Sequence, residues 1–357
     1  GWWSDTTLGE DLDVAGASTD EVYAAMDWLT ARQDRIEAGL ARRHLTGRDG
    51  PPMAMFDLSS SWVEGRCCPL AARGYSRDRR TGSLQIENGL LTDREGRPVA
   101  VRVFPGNTAD PAAFVAAVDT VRDTFALDRV TMVGDRGMIT SARITALRDL
   151  GGIGWVTALR APQIARLAAG DGPLQLSLFD TQDLAEITHP DYPGERLIAC
   201  RNPALAGERA RTRDDLLAAT QTKLAPILTR VERGTLAGAD RIGVAVGKVV
   251  DTYKMAKHFD ITITDTTLTV TRRQEQIAAE AALDGIYVLR TSVPATRLDS
   301  AGVVTTYKNL SHVERDFRIL KSDDLDLRPI HHHLEDRVRG HVLICMLAAH
   351  LTWHLRK

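Results

Sequence analysis

The sequence predicts an α/β protein: a mixed sheet flanked by helices and interrupted by an α+β insertion subdomain. Three observations carry this expectation. Residues 51–160 alternate short apolar runs with helical patterns, beginning with a hairpin. Residues 161–285 abandon that alternation for short segments punctuated by Pro and Gly, followed by one long helix. Then IYVLRTSV, residues 286–293, returns as an apolar strand just ahead of an amphipathic stretch, 307–321. The expected divisions are a helical linking region (1–50), a first part of the core (51–160), the insertion (161–285), a second part of the core (286–325) and a C-terminal helix (326–357).

The chain has 357 residues, 43% hydrophobic and 26% charged, the balance of an ordinary globular protein. Its net charge of −2 excludes a global basic signature, so any nucleic-acid contact must use local patches. No apolar run reaches membrane-spanning length. Cys67, Cys68, Cys200 and Cys345 form no C-x-x-C pair, which speaks against a disulfide scaffold and fits a reducing compartment. The first residues, GWWSDTTLGEDL, lack the basic and apolar regions of a secretion signal and an initiator Met. With an apolar helix close to Lys357, this suggests a fragment of a longer protein.

In the linking region, Thr19 is placed to cap a helix carrying Val22, Met26, Trp28, Leu29 and Ile36 at helical spacing, and Gly47, Gly50, Pro51 and Pro52 end it. Next, MAMFDL (53–58) reads as a buried strand containing Asp57. An ionised Asp in a central strand is costly unless paired or metal-bound; the alternative is an Asp capping the three serines that follow. Residues 63–83 form a loop dense in arginine (Arg66, Arg73, Arg77, Arg79, Arg80), either solvated or in contact with phosphate. Residues 84–92 and 98–104 read as a hairpin closed at Gly96. Asp110 and Pro111 open a helix to about residue 125 as cap and first residue. The run 130–133 ends in Gly134-Asp135-Arg136-Gly137, a strand delivering Asp135, which is either a site residue or a partner of Arg136. A helix (141–150) and a strand (153–159) follow. Within the insertion, residues 213–233 read as a helix, and FDITITDTTLTVT (259–271) alternates as a strand or hairpin.

The stretch YKNLSHVERDFRILK (307–321) reads as one helix with two stripes. Leu310, Val313, Phe317 and Leu320 make an apolar face. Tyr307, Glu314 and Lys321 are seven apart and line up beside it, since seven residues drift only about 20° on an α-helix. A solvated Glu on an amphipathic helix has the same local pattern, so Asp57 and Asp135 decide its meaning.

These residues resemble a known family. DDE transposases of bacterial insertion sequences, in the branch with a β-rich insertion before the last acid, carry Y-x-x-R-x-x-x-E-x-x-x-x-x-x-K; Tyr307, Glu314 and Lys321 match it and Leu310 stands where Arg belongs. The Pro-Gly-Asn loop at 105–107, and an insertion between Asp135 and Glu314, add to the likeness. The resemblance implies a ribonuclease H-like sheet with Asp57, Asp135 and Glu314 as catalytic metal ligands. It also implies DNA contacts from Tyr307 and Lys321, with Arg318 as the nearest replacement for the missing Arg. All-carboxylate ligands suit hard cations, so two Mg²⁺ ions are expected, with Mn²⁺ as a substitute. The implied substrate is DNA, at transposon ends and target, cut and joined by a homodimer in a synaptic complex in the cytoplasm, on the nucleoid, with no membrane. Some relatives stack a flipped base on an insertion Trp; the insertion here has none, so a hairpin intermediate is not carried over. Two alternatives stay open: a metal-dependent nuclease of the same fold without strand transfer, and a non-catalytic, transposase-derived DNA-binding protein. The run His331-His332-His333 reads as solvated histidines at a helix entry; a zinc site with His341 and Cys345 is disfavoured because neighbouring side chains diverge.

Overall fold

The computed structural model describes residues 7–46, 52–180, 182–322 and 325–356. The expected break at Gly47, Gly50 and Pro51 lies outside these residues. Helices α1 (Leu8–Asp11), α2 (Thr19–Thr30) and α3 (Gln33–His44) precede the sheet. The cap of α2 is Ser18 and not Thr19: Ser18 and Glu21 form a reciprocal capping box, which places Thr19 inside the first turn. Strand β1 (Met53–Trp62) is followed by β2 (Gln85–Thr92), β3 (Pro98–Pro105), α4 (Asp110–Asp119), β4 (Val130–Val133), α5 (Ser141–Leu150) and β5 (Ile153–Ala158). Then come α6 (Ala161–Ala168), β6 (Leu184–Ile187), β7 (Arg196–Arg201), α7 (Pro203–Glu232), α8 (Ala239–Tyr253), β8 (Phe259–Ile263), β9 (Leu268–Arg272), α9 (Gln274–Ala281) and β10 (Ile286–Thr291). The chain closes with α10 (Ser300–Lys308), α11 (Leu310–Lys321) and α12 (Glu335–Leu355).

The main sheet runs β3-β2-β1-β4-β5-β10-β7-β6. β1 pairs antiparallel with β2 and parallel with β4; β4 pairs parallel with β5, and β5 antiparallel with β10. A meander of three strands followed by two parallel strands, crossed over by helices, is the ribonuclease H-like arrangement expected from the sequence. Along β1, successive side chains alternate between faces. Ala54, Phe56 and Leu58 join a core with Ala41 and Leu45, with Phe114 and Val118 of α4, and with Ile144 and Leu147 of α5. Ser59 meets Lys321 of α11, so Asp57, two residues earlier, points to the face that α11 covers.

β1 is longer than expected. Ser59, Ser60 and Ser61 continue it as buried strand residues, because β2 pairs along the whole length from Met55↔Thr92 to Trp62↔Gln85. Each hydroxyl finds a partner: Lys321 Nζ donates to Ser59, the Arg77 backbone N–H to Ser60, and Asn88 Nδ2 to Ser61. Asp110 is the first residue of α4 and not its cap; its carboxylate takes Arg77 instead. The helix after Asp110 ends in a π-helical turn at Thr120–Thr124. The stretch 307–321 is two helices that meet at Asn309, itself in the right-handed helical region at φ −66° and ψ −12°.

Two compact units divide the chain. The first comprises residues 1–160, 186–198 and 289–357; the second comprises 161–185 and 199–288. The insertion expected over 161–285 is therefore interrupted. Strands β6 and β7 belong to the main sheet, beyond β10, and residues 186–198 group with the first unit. The fixing element is Glu195, buried in the first unit, which accepts from Arg290 (2.6 Å to each oxygen), Arg148 (2.7 Å) and the Trp155 indole (3.1 Å).

The second unit has its own core: Leu224, Ile227 and Val231 of α7 meet Ile242 and Val246 of α8, with Ile261 and Val270 of the β8–β9 hairpin against them. α7 starts ten residues earlier than expected, because Pro203 sits at its first turn, where a missing N–H costs nothing, behind the Asn202 cap. Gly238 has no side chain to cap α8; Asp265 of the hairpin turn accepts from Ala239 N–H instead. Among the described residues, no helix is long and apolar enough to cross a membrane.

Candidate active site

Asp57 occupies the middle of β1, opposite Leu90 of β2, with its Oδ1 accepting from the Leu58 N–H at 2.8 Å. Asp135 lies two residues past the end of β4. The parallel register pairs Met55 with Val133; carried two residues on, it sets Asp57 beside Asp135. Gly134 supports that exit: its N–H bonds to Val156, and a Cβ there would meet Ile139 at 3.2 Å. The backbone carbonyl of Asp135 accepts from Met138 and Ile139, turning the chain away and leaving the side chain facing out. Glu314 sits on the exposed side of α11, the helix packed over β1.

The three acids share an electrostatic neighbourhood. Burial pushes the Asp57 carboxyl up to about 7; the Leu58 N–H opposes this, Glu314 adds to it, Arg77 opposes and Asp135 adds. Among the described residues, no Lys or Arg forms an ion pair with Asp57, Asp135 or Glu314. The Tyr307 hydroxyl donates to Asp135 Oδ1 at 3.2 Å, and burial together with Asp135 keeps that phenol protonated. The carboxylates stand open: the group of three candidate ligands whose donor atoms all lie within 4.8 Å of one another is His44, His350 and His354, and not the acids.

A second charged layer borders the acids. Arg77 bridges Glu87 and Asp110 at 2.5 Å each, and burial pushes Glu87 up to about 7. Asp78 holds Lys321 at 2.8 Å and Arg328 at 2.5 Å. The sequence offered little signal for Arg77, Asp78 and Glu87: the first two join the site through loop folding, and Glu87 through the pairing of β2 with β1. Lys321 is 7% exposed and spent on Asp78 and Ser59, a placement the heptad spacing did not anticipate. The cause is Asp78, a loop acid 243 residues away in the sequence but adjacent in the fold. Arg318 and Arg315 are exposed on α11. Leu310 is half-buried at the start of that helix.

The histidines behave differently from expectation. His331 is exposed beside Glu64, but His332 is half-buried edge-on to His341, whose imidazole burial pushes down to about 4. Cys345 donates to the Leu325 carbonyl.

The sheet order sets Asp57 on β1 next to Asp135 just past the end of β4, with Glu314 on the helix that packs over β1. A model of the transposase DDE domain matches residues 65–351, and the chain belongs to that family. Asp135 and Glu314 lie inside the matched span, and Asp57 precedes it. No curated protein matches significantly. Among solved structures, a cryo-EM structure of a piggyBac transposase synaptic complex with hairpin DNA is similar, with TM-score 0.41 and 8% identity over 85% of this chain and 48% of that one. The chain thus spans about half the length of that protein.

Proposed function

We propose that this chain is the catalytic domain of a DNA transposase that cleaves phosphodiester bonds at transposon ends and joins the freed 3′-OH to target DNA, with Asp57, Asp135 and Glu314 holding two divalent cations, Mg²⁺ or Mn²⁺. The carrying observation is that Asp57 feels the charges of both Glu314 and Asp135 while, among the described residues, no Lys or Arg is ion-paired to any of the three, in a member of the DDE family. Uncompensated acids of this kind call for a hard cation, and their donor set is all oxygen. Bound divalent ions supply Lewis acidity and charge neutralisation to an in-line phosphoryl displacement.

The remaining work falls to the chain's own groups. Asp57 must lose its proton before it serves as a ligand, so competence rises with pH through about 7. Tyr307 fixes the Asp135 carboxylate by its hydrogen bond, leaving the other oxygen for the site. Arg315 and Arg318, exposed on the helix that carries Glu314, reach for DNA phosphates as positioning contacts. Lys321 contributes to DNA binding by releasing Asp78 when a phosphate competes for its ammonium. A homodimer pairing two ends completes this reading, as does an origin in a bacterial insertion sequence.

The test is a strand-transfer assay with DNA carrying the cognate ends and a plasmid target. Mg²⁺-dependent joining that is lost in Asp135→Asn supports the proposal. Nicking without joining would favour a nuclease of the same fold, and neither activity in a DNA-binding protein would leave only a binding role.

A further inference from the structure

We propose that His44, His350 and His354 form a binding site for a first-row transition-metal cation of the Zn²⁺ type, separate from the acidic site. His350 and His354 are four apart on α12 and so share one face of it. His44 is the last residue of α3. One ligand nitrogen from each lies within 4.8 Å of the other two. The ring centroids are 4.9 to 5.8 Å apart, and the rings meet at angles rather than stacked.

The chemistry of His350 strengthens the assignment. Its Nδ1 is 2.7 Å from the Pro98 carbonyl oxygen, which only accepts, so the proton sits on Nδ1 and the lone pair on Nε2. A backbone carbonyl fixing the far nitrogen is how metal-binding histidines are commonly oriented. The residue is buried, so this orientation is held by packing.

Two cationic side chains oppose the ion, Arg97 and Arg43, and both also disfavour charge on His44 and His354. Arg97 donates to His44 Nδ1, and its guanidinium lies over Trp353 at 3.9 Å. Its charge is already matched by Asp93 at 3.1 Å and Glu95 at 3.7 Å. Metal entry therefore exchanges the Arg97–His44 hydrogen bond for a metal bond, with Arg97 staying on its carboxylates. Zn–N bonds of about 2.0–2.1 Å at tetrahedral angles set nitrogens about 3.4 Å apart, within reach of a cluster whose ligand nitrogens already lie within 4.8 Å of one another. His354, exposed at the end of α12, is free to adjust. Water would fill the fourth position. The ion would tie α3 and α12 to the start of β3, and so to the β2–β3 hairpin.

The experiment titrates the chelator-stripped 357-residue chain with Zn²⁺ against a chromophoric chelator, and with Co²⁺ by visible absorption. Excess Mg²⁺ is present to keep the acidic site from scoring. One Zn²⁺ per chain is expected, with a Co²⁺ d–d band. His44→Gln and His354→Ala should each weaken binding at least tenfold, His332→Ala should leave it unchanged, and Arg97→Gln should tighten it. Circular dichroism confirms the fold of each variant, and exposed His354 keeps the test valid if a His350 variant fails to fold. Binding of less than half an equivalent, or binding untouched by His354→Ala, or lost in His332→Ala, overturns the site.

Discussion

Asp57→Asn should make the metal-free protein more stable at neutral and alkaline pH while removing its activity. The Asp57 carboxyl has a folded-state value of about 7 against 3.8 for an ordinary Asp. A raised value means the folded state holds a proton that the unfolded chain has released. Stability from that proton is present in full below about 3.8 and is lost as pH rises through about 7. At about 1.4 kcal/mol for each pH unit, the gap corresponds to a loss on the order of 4 kcal/mol by pH 8. Asn keeps the acceptor for the Leu58 N–H and carries no charge beside Glu314 and Asp135. The assay is urea unfolding in EDTA at pH 5 and pH 8 for both proteins. Glu87 and Asp316, also near 7 in the folded state, give the same trend in both, so the difference between the proteins isolates Asp57. Mg²⁺ should then stabilise the wild type, by about 2.7 kcal/mol at one hundred times Kd, and leave the variant unmoved. A wild type and Asp57→Asn with parallel pH profiles, or a variant less stable at pH 8, would refute the reasoning.

Further outcomes concern the other acids, the lysine and the buried glutamate. Asp135→Asn and Glu314→Gln should lower cleavage and joining together by orders of magnitude while gel-shift binding to end DNA persists, since binding rests on basic side chains. The cleavage rate at limiting Mg²⁺ should rise about tenfold per pH unit below about 7 and level off above, read from a pH–rate profile. Lys321→Ala should cost about 1–3 kcal/mol in chemical denaturation, short of a full buried-pair loss because Arg328 still holds Asp78; it should also flatten the salt dependence of DNA binding by about one unit. Glu195→Ala strands Arg290 without its buried partner and should cost about 3–5 kcal/mol by the same measurement.

The strands of the core were legible because each is a short apolar run with its own punctuation, and the parallel register of β1 and β4 follows once they are neighbours. Asp57 and Asp135 stood out because an acid in or just past a buried strand conflicts with its surroundings. The charged layer beside those acids was not legible. Arg77 and Asp78 sit in a loop whose path is set by tertiary contacts, such as the Arg77 N–H on Ser60. The apolar spacing predicts 307–321 as one helix; the break at Asn309 coincides with a tertiary bond, Asn309 Nδ2 to the Arg94 carbonyl, that no local pattern encodes. Tyr307 still reaches Asp135. The H-x-x-x-H spacing of His350 and His354 is present in the sequence, but His44 joins them only through the packing of α3.

The β2–β3 turn has a reach beyond its own hairpin. It carries Gly96 at φ +79, where a Cβ would fall 2.4 Å from the Cβ of His312, two residues before Glu314. Together with the Asn309–Arg94 bond, this seats the start of α11 directly on the turn. A side chain at position 96, or one residue added to the turn, would lift that end of the helix and swing the third acid away from the other two. Damage in such a variant would look like a chemical defect, with DNA still bound and the sheet intact, although nothing that touches the reacting atoms had changed. The turn thus acts as a spacer between the sheet and the start of α11, and what can stand at position 96 is limited by the helix above it as well as by the turn's own positive φ.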